Sequence, residues 1–250
     1  MRSEGKKGTT AKKIPRWEAE LWSYLSEGDG THCPIYESCR LRLGGEWCLS
    51  EHEQYYQLMN DFLDDELPDL TNPASIQFDF PSSRHMGGIF NLVKRLAVRY
   101  RTEAGIDLLP VPADLITHGG DGRPIEVQEL PLKAYHGAIW RLNDCWVVQL
   151  NSNDTPARKR FTRYHEIFHI LAHCKATPVF KKALCNQEGS FNQEGSFNEL
   201  LADHFAVIML MPEKQVKERW AEVKDINQMA TIFDAPESVV WCALKYQSLV

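Results

Sequence analysis

The sequence predicts an α+β protein that is mainly helical, with a small antiparallel sheet and an N-terminal helical region that contains cysteines. Apolar residues recur at helical spacing along most of the chain, whereas strand-like runs are confined to residues 125–151. Asn143-Asp144 separates two of these runs and is typical of the turn in an antiparallel hairpin. Prolines and polar residues over 67–83 are typical of a linker, so we predict an N-terminal region of residues 1–80 and a larger domain of residues 81–250.

Composition and charge exclude several classes of protein. The chain has 250 residues, of which 43% are hydrophobic and 25% are charged, as in globular domains and unlike disordered or fibrous chains. No apolar run reaches the ~18–20 residues that a membrane span needs, and the basic N-terminus lacks the apolar core of a secretory signal. The net charge of −6 argues against nucleic acid as the main ligand. We therefore expect a cytoplasmic protein with no membrane partner.

Helical periodicity appears in several places in the first half of the chain. Pro15 is suited to the first turn of an amphipathic helix that extends to about residue 25. Residues 51–66 and 87–104 show the same spacing of apolar side chains, which predicts two further helices. A short helix is also expected after Pro112, ending near residue 117.

Turn and cap signals predict the remaining elements. Three strands are expected at residues 125–130, 134–142 and 145–151. The run Asn153-Asp154-Thr155-Pro156 combines residues suited to a helix cap with a proline suited to the first turn, so a helix is expected from there to about residue 174. Another helix is expected over residues 199–210, ending before Pro212, with two or three short helices after it.

The segment His165-Glu166-Ile167-Phe168-His169 places two histidines four residues apart on a predicted helix. Residues at i and i+4 are neighbours on one helix face, so the two imidazoles can share one metal ion. Glu166 then lies beside the ion and can accept a proton from a water molecule that the ion activates. The pattern predicts a catalytic zinc ion with His165 and His169 as ligands and Glu166 as general base.

A catalytic zinc site needs a third protein ligand. His173 continues the row but lies ~12 Å along a straight helix from His165, too far for both to bind one ion. Glu199 is the stronger candidate, because it begins the next predicted helix and shares a face with Asp203. Asp203 is expected to accept the second ring N–H of a ligand histidine and so to fix its tautomer.

These motifs resemble those of the ImmA/IrrE family of zinc metallopeptidases. The resemblance rests on His165–His169, on the run from Glu199 to Ala206 and on Leu210-Met211-Pro212, and it covers roughly residues 88–248. It implies a compact α+β domain in which the two histidines and Glu199 bind zinc and Glu166 acts as general base. It also implies hydrolysis of a protein substrate, in known cases a DNA-binding repressor. Phe168 departs from the family, which often has glycine before the second histidine.

Three cysteines ahead of this domain suggest a second metal site. Cys33, Cys39, Cys48 and His52 offer three thiolates and an imidazole, enough for a closed structural zinc site, with His32 as an alternative to His52. Buried free thiols and an iron–sulfur or redox centre are the alternatives for the same segment. The four other cysteines are scattered, and we expect them to behave as small buried residues.

The sequence thus predicts a zinc-dependent endopeptidase that cleaves a transcriptional repressor or another regulatory protein. The alternative is a non-catalytic, metal-containing binding module that senses or sequesters a repressor. The presence of Glu166 favours the enzyme, because a module that only binds needs no general base. The oxyanion-stabilising group stays open among His173, His204, Tyr164 and Arg163.

Overall fold

The computed structural model of the protein describes residues 14–27, 88–132, 135–173 and 197–250. The helices and strands in these ranges are, in chain order, α1 Arg16–Glu27, α2 Gly88–Glu103, β1 Ile125–Leu130, β2 Gly137–Arg141, β3 Trp146–Asn151, α3 Pro156–His173, α4 Phe197–Leu210, α5 Glu213–Val223, α6 Ile226–Phe233 and α7 Glu237–Tyr246. The predicted α+β class, mainly helical with one small sheet, is therefore confirmed.

The sheet is mixed, which corrects the prediction of an antiparallel one. Its strand order is β1–β3–β2, and β2 and β3 form the expected antiparallel hairpin. The Leu142 amide closes this hairpin by donating to the Cys145 carbonyl at 2.9 Å. β1 pairs in parallel with β3, with Ile125 opposite Trp146. Because β1 lies beside β3 rather than beside its neighbour in the chain, the hairpin signal describes only half of the sheet.

The prediction of a short helix after Pro112 is wrong, because residues 113–115 form a turn and a bend. Side chains of α3 use the carbonyl groups that such a helix would need at its start. Arg160 donates to the Val111 carbonyl, and the Tyr164 hydroxyl donates to the Pro112 carbonyl. These tertiary hydrogen bonds replace the helical ones.

The helix α4 lies at the centre of the core. Every residue from Leu200 to Leu210 is buried, and the helix packs against both α2 and α3. Ala202 and Ala206, which allow close approach of a neighbouring helix, are fully buried. Asp203 and His204 are the polar residues in this apolar stretch, and burial of such groups is costly unless they have partners.

The helix α3 is held between the sheet and α4. The Thr155 hydroxyl caps its start by accepting from the Arg158 amide at 3.2 Å, and Pro156 occupies the first helical position, as predicted. Ile170 on one face packs against buried residues of β3. On another face the Phe168 ring lies 5.4 Å from the ring of Phe205 on α4, measured between centroids. The two predicted ligand-bearing helices are therefore neighbours.

A buried ion pair fastens α1 to α2. Glu18 is fully buried, accepts a hydrogen bond from Trp22 Nε1 at 3.2 Å and pairs with Arg99 of α2. Leu21 and Trp22 belong to the main hydrophobic core. The helix α1 thus packs on the larger domain, while the division of the chain near residue 80 stays a prediction.

We expect Glu18→Ala to lower the free energy of unfolding by about 3 kcal/mol, because the partly buried Arg99 guanidinium would lose its buried partner. Equilibrium unfolding in urea measures this change. Glu18→Gln is the matched variant that keeps the size of the side chain and removes only its charge. A loss below about 1 kcal/mol in the alanine variant would contradict a stabilising role for the pair.

Several predictions fall on other parts of the chain. Cys33, Cys39, Cys48 and His52 lie outside the described residues, as does the helix expected over 51–66, so these stay predictions. Of the scattered cysteines, Cys242 is buried, as expected, and Cys145 is half-buried. None of the described helices is long and apolar enough to cross a membrane.

Candidate metal centre

The three predicted ligands meet between α3 and α4. His165 and His169 lie one turn apart on α3, and Glu199 lies in the first turn of α4. His165 Nε2 is 3.0 Å from Glu199 Oε2 and 3.1 Å from His169 Nε2, and His169 Nε2 is 3.3 Å from Glu199 Oε1. Among the described residues, no lysine or arginine pairs with this carboxylate. Three metal-ligating side chains therefore converge without a cationic side chain between them.

The donor atoms fit a small divalent metal ion. Ligand bonds of about 2.0–2.1 Å in tetrahedral geometry separate the ligand atoms by ~3.3–3.4 Å. The observed separations of 3.0, 3.1 and 3.3 Å are close to that value. The two ring nitrogens face each other, and both face the Glu199 carboxylate. A cation between these three groups can accept electron pairs from all of them. His165, His169 and Glu199 thus form a group that can hold a metal ion.

Asp203 supports this group from α4. Its Oδ1 lies 2.6 Å from His165 Nδ1, and its side chain is only 4% exposed. The carboxylate can hold a proton on Nδ1, so that Nε2, which faces Glu199 and His169, is the ring atom that would bind a metal ion when the ion displaces its proton. The contact is the one expected for Asp203 from the sequence.

The charges of the group depend on one another. Burial alone would lower the pKa of His165, but Asp203 and Glu199 raise it well above its usual value. Burial alone would raise the pKa of Glu199, but His169 and His165 hold it well below its usual value. The Glu199 carboxylate is therefore ionised and available to a cation.

We expect Asp203→Asn to weaken metal affinity by about 10–100-fold, because a neutral amide holds the Nδ1 proton of His165 less strongly than a carboxylate does. Competition with a chromogenic chelator measures the affinity. Asp144→Asn, which makes the same change at an exposed turn, is the matched control and should have no effect. Equal affinities for Asp203→Asn and the wild type would exclude a positioning role for Asp203.

Glu166 lies on α3 beside the ligand pair and is half-buried. Burial raises its pKa above the usual value, while His165 and His169 act in the opposite direction. The beginning of β2 approaches this side chain closely. A Cβ atom built on Gly137 would lie 2.8 Å from Glu166 Oε1 and 2.5 Å from Thr162 Cγ2. Only glycine at position 137 leaves room for Glu166 in its present position.

Gly137 and Thr162 were not among the residues expected at the site, although the sequence carries a signal for each. A glycine within a strand-like run often marks a close approach of the backbone to another group. Thr162 precedes Glu166 by four residues, which places the two on one face of the helix. Neither signal places these residues beside Glu166 until the packing of β2 against α3 is known.

Two of the candidates for oxyanion stabilisation are packed in the core. Tyr164 is fully buried, and its hydroxyl donates to the Pro112 carbonyl. His204 is 1% exposed, and its ring lies 5.0 Å from the ring of Phe90 and 5.3 Å from that of Tyr246. These contacts favour packing roles for both residues. Arg163 is half-buried on α3, and the His173 side chain lies outside the described part of the structure.

Two histidines four residues apart on one helix, with a carboxylate from the next helix, are a group of the kind that can hold a metal ion in metallopeptidases. The family model for the IrrE N-terminal-like domain matches residues 121–244, which include the whole group. This domain of the chain therefore belongs to the ImmA/IrrE family of metallopeptidases, and the predicted family is confirmed.

One solved structure that is similar to the chain is described as a Mycobacterium tuberculosis transcriptional regulator. The two share 13% sequence identity with a TM-score of 0.34, and the alignment covers 92% of this chain and 52% of the other. The chain thus spans about half the length of that protein. No curated protein matches the sequence.

Proposed function

We propose that the protein is a zinc-dependent endopeptidase of the cytoplasm that cleaves a regulatory protein, with a DNA-binding repressor as the favoured substrate. The supporting observation is the convergence of His165, His169 and Glu199 beside Glu166 in a domain of a metallopeptidase family. A peptidase of this family acts on protein substrates, and the choice of a repressor rests on the family resemblance.

Each residue of the centre has a distinct role in this reaction. His165, His169 and Glu199 would hold the zinc ion, and Asp203 orients the His165 ring through its contact with Nδ1. When bound, a zinc ion would supply Lewis acidity, which lowers the pKa of a water ligand to about 7 and polarises a carbonyl group. Glu166 accepts a proton from the attacking water while the water oxygen bonds to the carbonyl carbon. Glu166 then gives this proton to the amine nitrogen as the C–N bond breaks, which restores the carboxylate.

The sheet offers a place for an extended substrate. β2 lies at one edge of the sheet and pairs only with β3 within the described part of the chain. An extended peptide can add to such an edge as a further strand by hydrogen bonding to its free backbone groups. Gly137 at the start of β2 lies beside Glu166. We infer that the substrate runs along β2, with its scissile bond near Gly137.

Cleavage of repressor proteins from the same genome, beginning with any encoded next to this gene, tests the proposal. The zinc-loaded protein is incubated with each repressor, and mass spectrometry identifies new chain termini. We expect defined fragments that disappear when a chelator removes the metal and return when zinc is added. Fragments that persist after chelation would contradict the zinc mechanism. A protein that binds zinc and a repressor without producing fragments would be the binding module instead.

A further inference from the structure

The two faces of the edge strand β2 have different surroundings. Gly137 and Ile139 face α3, because Gly137 lies beside Glu166 and Ile139 packs against buried residues of β3 and α3. Successive side chains of a strand point to opposite faces, so Ala138 and Trp140 lie on the other face, which we call the outer face. The outer face of β2 is thus directed away from the helix that carries the two histidines.

Two large apolar side chains are exposed on the outer face. Trp140 is 43% exposed, and Leu142, directly after the strand, is 52% exposed. The indole of Trp140 is held in position because its Nε1 donates to Gln149 Oε1 at 2.8 Å. The Leu142 amide extends the hairpin ladder by donating to the Cys145 carbonyl, so alternation places Leu142 on the same face as Trp140. An oriented aromatic ring and an aliphatic side chain therefore lie along the edge where we place the substrate.

The outer face of β2 carries no charge. Edge strands are commonly protected by charged side chains, which discourage pairing with other chains. Arg141 is the charged residue of β2, and it lies on the face toward α3, with its Cζ 5.8 Å from the centre of the Trp146 ring. This arrangement favours pairing of β2 with an extended chain that presents apolar side chains to the outer face.

The position of Trp140 on β2 relates it to the scissile bond. Residues opposite each other in paired strands have Cβ atoms about 4.5–5.5 Å apart, so their side chains can pack together. Antiparallel pairing is slightly more stable than parallel pairing, so we expect the substrate to run antiparallel to β2. The residue opposite Trp140 then precedes the residue opposite Gly137 by three positions. With the scissile bond near Gly137, it is the third or fourth residue before that bond.

We propose that Trp140 is a specificity-determining residue that selects a bulky apolar side chain at the third or fourth position before the scissile bond. This side chain packs on the indole ring, and Leu142 extends the apolar contact. Burial of apolar surface between the two strands stabilises the bound substrate, whereas a small polar side chain at that position gains little. The inference rests on the proposed peptidase function and on pairing of the substrate with β2.

A library of tryptic peptides from a bacterial proteome tests this preference on the full-length, zinc-loaded protein. Mass spectrometry of the new chain termini gives the frequency of each amino acid at each position before the cleaved bond. We expect leucine, isoleucine, phenylalanine and tryptophan together to be enriched at least about threefold at the third or fourth position. Cleavage without this enrichment would overturn the proposal and leave the peptidase function standing.

The result with repressor substrates separates the two proposals further. A library that stays uncut while a repressor is cleaved would overturn the preference, because a strand edge should accept any extended chain with the matching side chain. Failure to cleave either the library or a repressor would overturn the peptidase function together with the preference.

Variants of Trp140 assign the preference to this side chain. Trp140→Thr keeps a residue suited to a strand and should abolish the enrichment. Trp140→Arg should replace it with an enrichment of aspartate and glutamate at the same position, a gain that misfolding cannot produce. Leu108→Thr removes an exposed apolar side chain beside α5 and should leave the preference as in the wild type. An apolar preference that persists in both Trp140 variants would overturn the assignment.

Discussion

Replacing Glu166 by glutamine is expected to leave the metal content unchanged and to slow cleavage by about 10²–10⁴-fold. Glutamine has nearly the same size as glutamate but cannot accept a proton from the attacking water. The side chain of Glu166 is not one of the three donors that converge on the ion position, so zinc binding does not depend on it. Single-turnover rates on the identified substrate, together with zinc analysis of the same sample, measure both quantities.

Glu218→Gln is the control for the Glu166 variant. Glu218 lies on α5 with its side chain 56% exposed, so the same chemical change there should leave the rate and the zinc content as in the wild type. A Glu166→Gln protein that cleaves at the wild-type rate would show that Glu166 is not the general base. Loss of zinc from that protein would instead show that Glu166 supports the metal site.

Gly137→Ala is expected to reduce cleavage by about 10²-fold while the protein stays folded and loaded with zinc. The added methyl group would lie 2.8 Å from Glu166 Oε1 and 2.5 Å from Thr162 Cγ2, so β2 or Glu166 must move. A displacement of about 1 Å between a catalytic group and its substrate is enough for a loss of this size. Steady-state kinetics and zinc analysis on one preparation measure the effect.

A second substitution separates crowding from other causes of this loss. Thr162→Ser removes the Cγ2 atom that the new methyl group would meet first, so the double variant should recover part of the lost activity. Gly105→Ala serves as a contrast, because its added methyl group has no neighbour within 4 Å but its φ of +65° disfavours alanine. It should lower stability and leave cleavage unchanged. Activity of Gly137→Ala within about twofold of the wild type would mean that this close approach has no catalytic importance.

The convergence of His165, His169 and Glu199 could be predicted because these residues obey local rules. His165 and His169 share a helix face through their spacing, and the run Asn153-Asp154-Thr155-Pro156 marks the start of that helix. Helix geometry argues against His173, since three rings on one straight helix cannot converge, and Glu199 could be chosen because it begins the next predicted helix and shares a face with Asp203. The contact of Asp203 with His165 follows from the same i, i+4 reasoning on α4.

The features that could not be predicted depend on contacts between distant parts of the chain. The parallel pairing of β1 with β3 is such a feature, because the hairpin turn reports only on β2 and β3. The wrong helix after Pro112 has the same cause, since Arg160 and Tyr164 of α3 bind the carbonyls of that segment.

Zinc content per chain, measured by plasma mass spectrometry on the wild type and on His169→Ala and Glu199→Ala, tests the metal centre most directly. Comparison between variants makes the result independent of any further zinc that Cys33, Cys39 and Cys48 bind. We expect each ligand variant to contain one zinc ion per chain fewer than the wild type, and Glu218→Ala to match the wild type. Equal zinc content in the wild type and in both ligand variants would show that His165, His169 and Glu199 do not form a zinc site.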